Sequence, residues 1–236
     1  VKPLLLDLFC GSGGAAMGYH RAGFDVVGVD IDPQPDYPFK FLQMNALSPF
    51  VWLATKWEPP IAVHASPPCQ RYSDLARRNG NAADWPDLVA PIREMLNATG
   101  LPYVIENVEG APLIDPVTLC GTMFPELAVI RHRLFETNWP LVPPAHHPRH
   151  PLVFTHDKRK AHYGTLDQDT SYVQVTGGGN ATLANKRRAM GMPWANNHGL
   201  NEAIPPAYTE FIGRRLLEHL SVSAGATNPE VDGGSS

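Results

Sequence analysis

Cysteine is scarce in this chain of 236 residues: there are three, at positions 10, 69 and 120. Their odd number and wide spacing, with no CxxC or Cys/His pattern, argue against a disulfide framework or a zinc knuckle. No metal is expected, and a reducing cytoplasm is the expected setting. Long apolar runs are also missing. Apolar stretches such as Pro3–Phe9 and Ile61–Ala65 fall far short of the roughly 20 residues that span a bilayer, so no membrane partner is expected. The first residues contain no basic stretch leading into an apolar segment and a cleavage site, so no secretory leader is expected. An excess of positive charge is absent too. The net charge of −4 and pI of about 6.2 argue, taken whole, against a basic nucleic-acid coat. What is present is the composition of a globular protein, 43% hydrophobic and 18% charged, with enough proline (24) and glycine (20) to imply many loops.

The charge is unevenly spread. Residues 1–136 carry 10 basic and 15 acidic side chains, whereas residues 137–220 carry 9 basic and 6 acidic together with seven of the ten histidines. An acidic body thus adjoins a basic, proline- and histidine-rich segment. From Ser221 to Ser236 the chain is rich in Gly, Ser, Ala and Asn and is expected to be a disordered tail.

Within the body, apolar runs end in unusual polar clusters. Leu4–Phe9 stops at Cys10-Gly11-Ser12-Gly13-Gly14 and is followed by a segment of helical composition closed by Gly23. Asp25–Ile31 and Ile61–Ala65 are further strand candidates, the second ending at Ser66-Pro67-Pro68-Cys69. Leu88, Ile92 and Leu96 have helical spacing over Pro86–Thr99 before Gly100, and Tyr103-Val104-Ile105 is a fourth strand ending at Glu106-Asn107. Strands alternating with helices predict a parallel α/β sheet. Ligands of such sheets sit outside the carboxyl ends of the strands, where these clusters lie.

The loop Gly11–Gly14 lacks the full GxGxxG spacing and is not a Walker loop, so alone it specifies little. Asp30, at the end of the next strand, adds to it, because an acid there can accept hydrogen bonds from both ribose hydroxyls. Ile31 can pack on an adenine face. Together they favour a nucleoside-containing cofactor and leave NAD and S-adenosylmethionine undecided. Cys69 differs from the two other cysteines in its polar flanks: a double proline stiffens the approach, and Arg71 nearby is expected to favour a thiolate. Glu106, at the neighbouring strand end, sets a proton donor beside this nucleophile, with Asn107 expected to anchor the carboxyl.

The ordered set Asp7–Gly14 (DLFCGSGG), Pro67-Pro68-Cys69-Gln70 and Glu106-Asn107-Val108 resembles the DNA cytosine-5 methyltransferases. So do the later segments Arg131-His132-Arg133, Lys186–Pro193 (KRRAMGMP) and Ala203-Ile204-Pro205-Pro206. The likeness covers about residues 3–220. It implies an α/β fold: a Rossmann-like S-adenosylmethionine-dependent methyltransferase sheet with helices on both faces, plus a small irregular target-recognition region. Residues 1–136 would be the catalytic and cofactor-binding core, 137–184 the recognition region, and 185–220 the motifs that return to the core.

By that resemblance, Cys69 would add to C6 of a cytosine flipped out of double-stranded DNA, and C5 would then take the methyl group of S-adenosylmethionine. Glu106 would hold N3, Arg133 would hold O2 with Arg131 in support, and Pro68 with Glu106 would read the exocyclic amine. Phe9, Gly11, Gly13, Gly14, Asp30, Ile31, Asn45, Pro68 and Glu202 would form the cofactor site. Gln70, Arg71, Ser73, Arg77 and Arg78 would lie on a mobile loop against DNA, and Lys158, Arg159 and Lys160 would contact it from the recognition region. A monomer is expected, in a bacterial cell or a phage-infected host, in a restriction–modification setting.

The chain departs from the family pattern at three places: Asn45 replaces an aspartate, Val129 a glutamine, and Asn201-Glu202 a Gly-Asn pair. A tRNA cytosine-5 methyltransferase of the same fold is the alternative enzyme, and a catalytically idle DNA-binding relative the alternative of another class. A recognition interval under 50 residues predicts a site of about two to four specified base pairs, given the few side chains available for major-groove readout. Sequencing methylated plasmid DNA checks this, and a site of six specified bases contradicts it.

Overall fold

The computed structural model describes residues 1–56, 58–73, 78, 80–144, 153–154, 172–173, 175 and 181–226. Its centre is β1 (Leu4–Leu8), flanked by β2 (Asp25–Asp30) and β4 (Ala62–Ala65), with β3 (Lys40–Gln43) outside β2 and β5 (Tyr103–Asn107) outside β4. These five strands are parallel. Beyond β5 the sheet changes sense: β7 (Arg133–Thr137) runs antiparallel to β5 and to the edge strand β6 (Val117–Leu119), giving the order β3-β2-β1-β4-β5-β7-β6. The expectation of a parallel sheet therefore holds for its first five strands, and the complete sheet is mixed.

Strands buried on both faces read as continuous apolar runs, as β1 (LLLDL) does. Side chains nevertheless alternate between faces. Leu4, Leu6, Leu8, Val27, Val29, Val63, Ala65 and Ile105 point to one face, where they meet Ile92 and Leu96 of α3 (Val89–Thr99) and Val51 of α2 (Phe50–Ala54). Leu5, Val26, Ala62 and Val104 point to the other, against α1 (Gly14–Ala22) and the long C-terminal helix α6 (Pro206–Ala226). Helices thus cover both faces. Helix α6 continues to Ala226, so the tail expected from Ser221 is helical for its first six residues, and the rest lies outside the described residues.

The packing of α1 on α6 is unusually close. A Cβ at Gly18 would run into Thr209 Oγ1 and the Pro206 carbonyl, and the Thr209 hydroxyl donates to the Ala15 carbonyl at 2.9 Å. On the far side of the sheet, the Arg93 guanidinium grips Glu136 with two short bonds (2.6 and 2.7 Å) and donates to the Pro112 carbonyl at 2.8 Å, tying α3 to β7 and to the preceding loop. Two short helices, α4 (Leu183–Met190) and α5 (Asn197–Glu202), carry the chain back to α6. Thr182 caps the first and Asn196 the second, each accepting a backbone N–H three residues on. Of the recognition interval, the described part includes a short parallel pair, β8 (Val153–Phe154) with β9 (Tyr172–Val173), bridged to the core through Val129 and Val173. Val129, the departure from glutamine, is fully buried there. Among the described residues no helix is long and apolar enough to cross a membrane.

Because Gly18 has no room for a methyl group, Gly18→Ala is expected to destabilise the protein by about 1–3 kcal/mol through overpacking. Urea unfolding measures this, and an unchanged midpoint would contradict the close helix contact.

Candidate active site

The carboxyl ends of β1, β2, β4 and β5 open on one side of the sheet. At the first, the chain leaves β1 through Phe9, a non-glycine residue in the left-handed region (φ 57°), and Gly11 (φ 47°). Where a Cβ would stand on Gly11 there is no atom within 4 Å, so a ligand can approach its backbone closely. Gly13 and Gly14 differ. The corresponding space at Gly13 is filled by Tyr37 and Pro38, and at Gly14 by the Ile204 carbonyl. Those two glycines admit the protein's own chain, whereas Gly11 opens outward. The returning C-terminal segment completes the loop: the Trp194 indole donates to the Ser12 carbonyl at 2.8 Å, and α5 abuts Ser12 at Gly199, where no Cβ would fit.

Asp30 accepts from the Gly11 N–H at 3.0 Å and from the Asp32 N–H at 3.1 Å. Each carboxylate oxygen keeps further acceptor capacity and the residue is half-buried, so it remains available to hydroxyl donors. Ile31 beside it is 63% exposed, an apolar surface with nothing of the protein over most of it. Asn45 is exposed, and its Oδ1 caps the Leu47 N–H at 2.9 Å. Phe9 is half-buried against the apolar face of the sheet. Open backbone at Gly11, acceptors at Asp30 and an apolar plate at Ile31 fit a nucleoside-bearing group.

Cys69 follows β4 by four residues and opens a 3-10 turn, Gln70–Tyr72, whose ends donate back to its carbonyl. The Asn107 side-chain amide donates to the Pro67 carbonyl at 2.9 Å, and its Oδ1 accepts the Val108 N–H. Asn107 was expected to anchor the Glu106 carboxyl. Consecutive strand residues face opposite ways, so it anchors the proline loop instead, and that bond joins the cysteine loop to the end of β5.

Glu106 is 7% exposed. Arg133 Nε lies 3.0 Å from its Oε1, and Ser66 stands beside it on the same face of the sheet. Burial holds the carboxyl above the ordinary carboxylate range, while Arg133, Ser66 and Arg131 work in the opposite direction. Burial pushes the Cys69 thiol up as well, and the Glu106 charge adds to this; Arg133 and Arg131 oppose it. Arg71, expected to favour the thiolate, instead donates to the Trp85 carbonyl at 2.9 Å and the Ala83 carbonyl at 3.4 Å, tying down its own loop.

Arg131 is buried and spends its guanidinium on the Val175 (2.6 Å) and Asn201 (2.7 Å) carbonyls, and its own carbonyl accepts from the Tyr208 hydroxyl at 2.6 Å. It supports the site as a buried strut. Glu202 is exposed, 3.4 Å from His198 Nε2, and near enough to the thiol to raise it. Pro68 is half-buried beside Cys69. The Ser73 hydroxyl donates to the Gln70 carbonyl at 3.2 Å, the Gln70 side-chain oxygen is buried without a partner, and Arg78 is exposed. Arg77, Lys158, Arg159 and Lys160 lie outside the described residues.

Sequence reasoning overlooked His64. It is fully buried on β4 with Nε2 2.9 Å from Ser66 Oγ and Nδ1 3.0 Å from the Tyr19 hydroxyl. One histidine in the otherwise apolar run Ile61–Ala65 was the available signal.

Residues 4–115 match the family model described as C-5 cytosine-specific DNA methylase. Over 120 residues the chain is 31% identical to the Type II methyltransferase M.AquIA of Picosynechococcus sp., covering 45% of this chain and 48% of that protein. It thus spans about half the length of that relative. It is 28% identical, also over 120 residues, to the Type II methyltransferase M.HgiGI of Herpetosiphon aurantiacus, covering 46% of this chain and 92% of that one. In structure it resembles the Entamoeba histolytica methyltransferase EhMeth, with a TM-score of 0.59 over 93% of this chain and 99% of that chain at 11% identity, a likeness of fold alone.

With Glu106 charged, the Cys69 thiol is held up, so Glu106→Gln is expected to lower it and speed alkylation. The rate of iodoacetamide incorporation at Cys69 near neutral pH should rise roughly threefold to tenfold, matching about half to one pH unit. Mass spectrometry of the labelled peptide reads this, and a slower or equal rate contradicts the electrostatic coupling.

Proposed function

We propose, for a chain whose residues 4–115 match the model of C-5 cytosine-specific DNA methylases, that the protein transfers a methyl group to C5 of a cytosine in double-stranded DNA, with Cys69 as nucleophile. The observation that carries this reading is the convergence of Cys69, Glu106 and Arg133 beside an open glycine loop whose acid is Asp30.

The chemistry follows from the groups present. C5 of cytosine is a poor nucleophile until a group adds at C6. The Cys69 thiolate forms the sulfur–C6 bond, and electron density moves toward C5 and toward N3 and O2. Glu106, held above the ordinary carboxylate range by burial, carries the proton that N3 gains a share of. Arg133, already against Glu106, offers N–H donors for the charge growing at O2. Donors aimed at charge that develops inside a largely buried site act on it more strongly than they would in water.

Asp30 would hold the ribose, Ile31 the adenine face and Gly11 the methionine part of S-adenosylmethionine. Bound there, that cofactor supplies an electrophilic methyl group. A water molecule then takes the C5 proton, that bond's electrons re-form the C5–C6 double bond, and the sulfur–C6 bond breaks with its electron pair returning to Cys69 as thiolate, which restores the aromatic ring. The target atom lies inside the duplex, so the cytosine must leave the stack, and the loop that starts at Gln70 adjoins the thiol where the base would arrive. Asn107 would be a positioning residue, acting through the Pro67 carbonyl on the loop that carries Cys69.

Duplex DNA carrying 5-fluorocytosine, incubated with S-adenosylmethionine, should trap a covalent protein–DNA adduct stable to denaturation, because fluorine blocks the loss of the C5 substituent. Cys69→Ser should abolish it. No adduct with wild-type protein on any DNA overturns the mechanism, and methylation of tRNA with duplex DNA untouched overturns the DNA substrate.

A further inference from the structure

The side chains behind Glu106 form a polar line through the layer between the sheet and α1. His64 pairs with Val104 and Ala65 with Ile105 in the parallel β4–β5 register, so His64, Ser66 and Glu106 all lie on the face covered by α1. Tyr19, from α1, closes the line on the far side of the imidazole. The two inner contacts are short, Tyr19 hydroxyl to His64 Nδ1 at 3.0 Å and His64 Nε2 to Ser66 Oγ at 2.9 Å; at the outer end the Ser66 hydroxyl favours the charged form of Glu106, which stands beside it on the same face of the β4–β5 pair. Tyr19 and His64 have no solvent exposure.

We propose that Tyr19, His64 and Ser66 form a one-directional hydrogen-bonded relay that holds the Glu106 carboxyl in its orientation toward the base, which makes His64 and Ser66 positioning residues for the reaction. The inference rests on the reading that Glu106 serves cytosine methylation.

The direction follows from counting protons. A Ser66 hydroxyl that donates to the Glu106 carboxylate has only lone pairs left for His64, so His64 Nε2 must carry its hydrogen toward Ser66. A neutral imidazole with hydrogen on Nε2 is bare at Nδ1, which must then accept from the Tyr19 hydroxyl. Burial pushes His64 down to about 3, so it stays neutral and in one tautomer across the working range. It transmits orientation without carrying charge. A histidine that only filled space would meet neither requirement, because an apolar side chain would fill the layer without the cost of burying two ring nitrogens.

The groups that act on Glu106 are Cys69, Ser66, Arg131 and Arg133, with Tyr208 from α6. Those facing the inner end of the relay are Asp7, which pairs with His64 across β1–β4 and acts on Tyr19, and Tyr19 itself. Ser66 favours the charged form of Glu106. Ser66→Ala therefore lets the carboxyl keep its proton to higher pH, and Ser66→Thr, which retains the hydroxyl, restores the wild-type behaviour.

The test uses the full chain with two readouts. In protein labelled with 13C-glutamate and 15N-histidine, and assigned with Glu106→Gln, the His64 nitrogens should report hydrogen on Nε2 and none on Nδ1. The Glu106 titration should move upward by about one pH unit in Ser66→Ala. His64→Phe should move it the same way, and the double variant no further than Ser66→Ala alone. In methyl transfer to DNA, the limb on which activity falls with rising pH should move with the titration, and kcat should drop about tenfold in Ser66→Ala with KM for DNA unchanged. Should His64→Phe fail to fold, Ser66→Ala against Ser66→Thr carries the test. The opposite tautomer, or a Glu106 titration unmoved by Ser66→Ala, overturns the relay. The expected NMR result in a protein that methylates no nucleic acid supports the relay and counts instead against the proposed function.

Discussion

The parallel pairing of β4 with β5 governs the site. With Ala65 opposite Ile105, the residue after each stands on the same face, which brings Ser66 to Glu106, while Asn107 points the other way and reaches the Pro67 carbonyl. One register thus settles two attachments, one to the carboxyl and one to the loop that carries the thiol. A slip of one residue would exchange the two faces and leave Glu106 among Ile105's apolar neighbours, a burial of unpaired charge. Both strands are buried on both faces, so the polar side chains His64, Glu106 and Asn107, each partnered on its own face, are what resist that slip.

A second dependence runs across the length of the chain. The glycine loop after β1 is completed by residues nearly two hundred positions later: Trp194 on the Ser12 carbonyl, the Ile204 carbonyl against Gly14, and Gly199 against Ser12. Arg131 adds a strut to Asn201 on the same returning segment. The small residues of the loop therefore serve two purposes. Gly11 leaves space for a ligand, whereas Gly13 and Gly14 give that space to the protein itself.

Electrostatically the site is balanced rather than strongly charged. Glu106 and Arg133 form a largely buried pair with Arg131 behind it, and the thiol feels both signs. A buried pair of this kind adds little to stability, since desolvation offsets its attraction, yet removing either partner leaves an uncompensated charge. For the proposed chemistry the balance is useful, because a proton gained at Glu106 shifts the field at Cys69 toward the thiolate.

Much of this was legible in the residues. Strand runs ending in polar clusters placed β1, β2, β4 and β5, and the positions of Cys69, Glu106 and Asp30 at their ends follow from α/β topology alone. The edge strand β3 and the antiparallel pair β6–β7 were not read, because short, half-buried strands lack a continuous apolar run. The net charge of −4 concealed an acidic body and a more basic later segment. By itself the sequence determined which chemical groups stand at the strand ends, since alternation and chain order put them there. Only the tertiary structure decided what each group touches. Asn107 holds a proline carbonyl, Arg71 its own loop, Arg131 the C-terminal return, and His64 a serine, because such partners are set by register and by contacts between residues far apart in the chain.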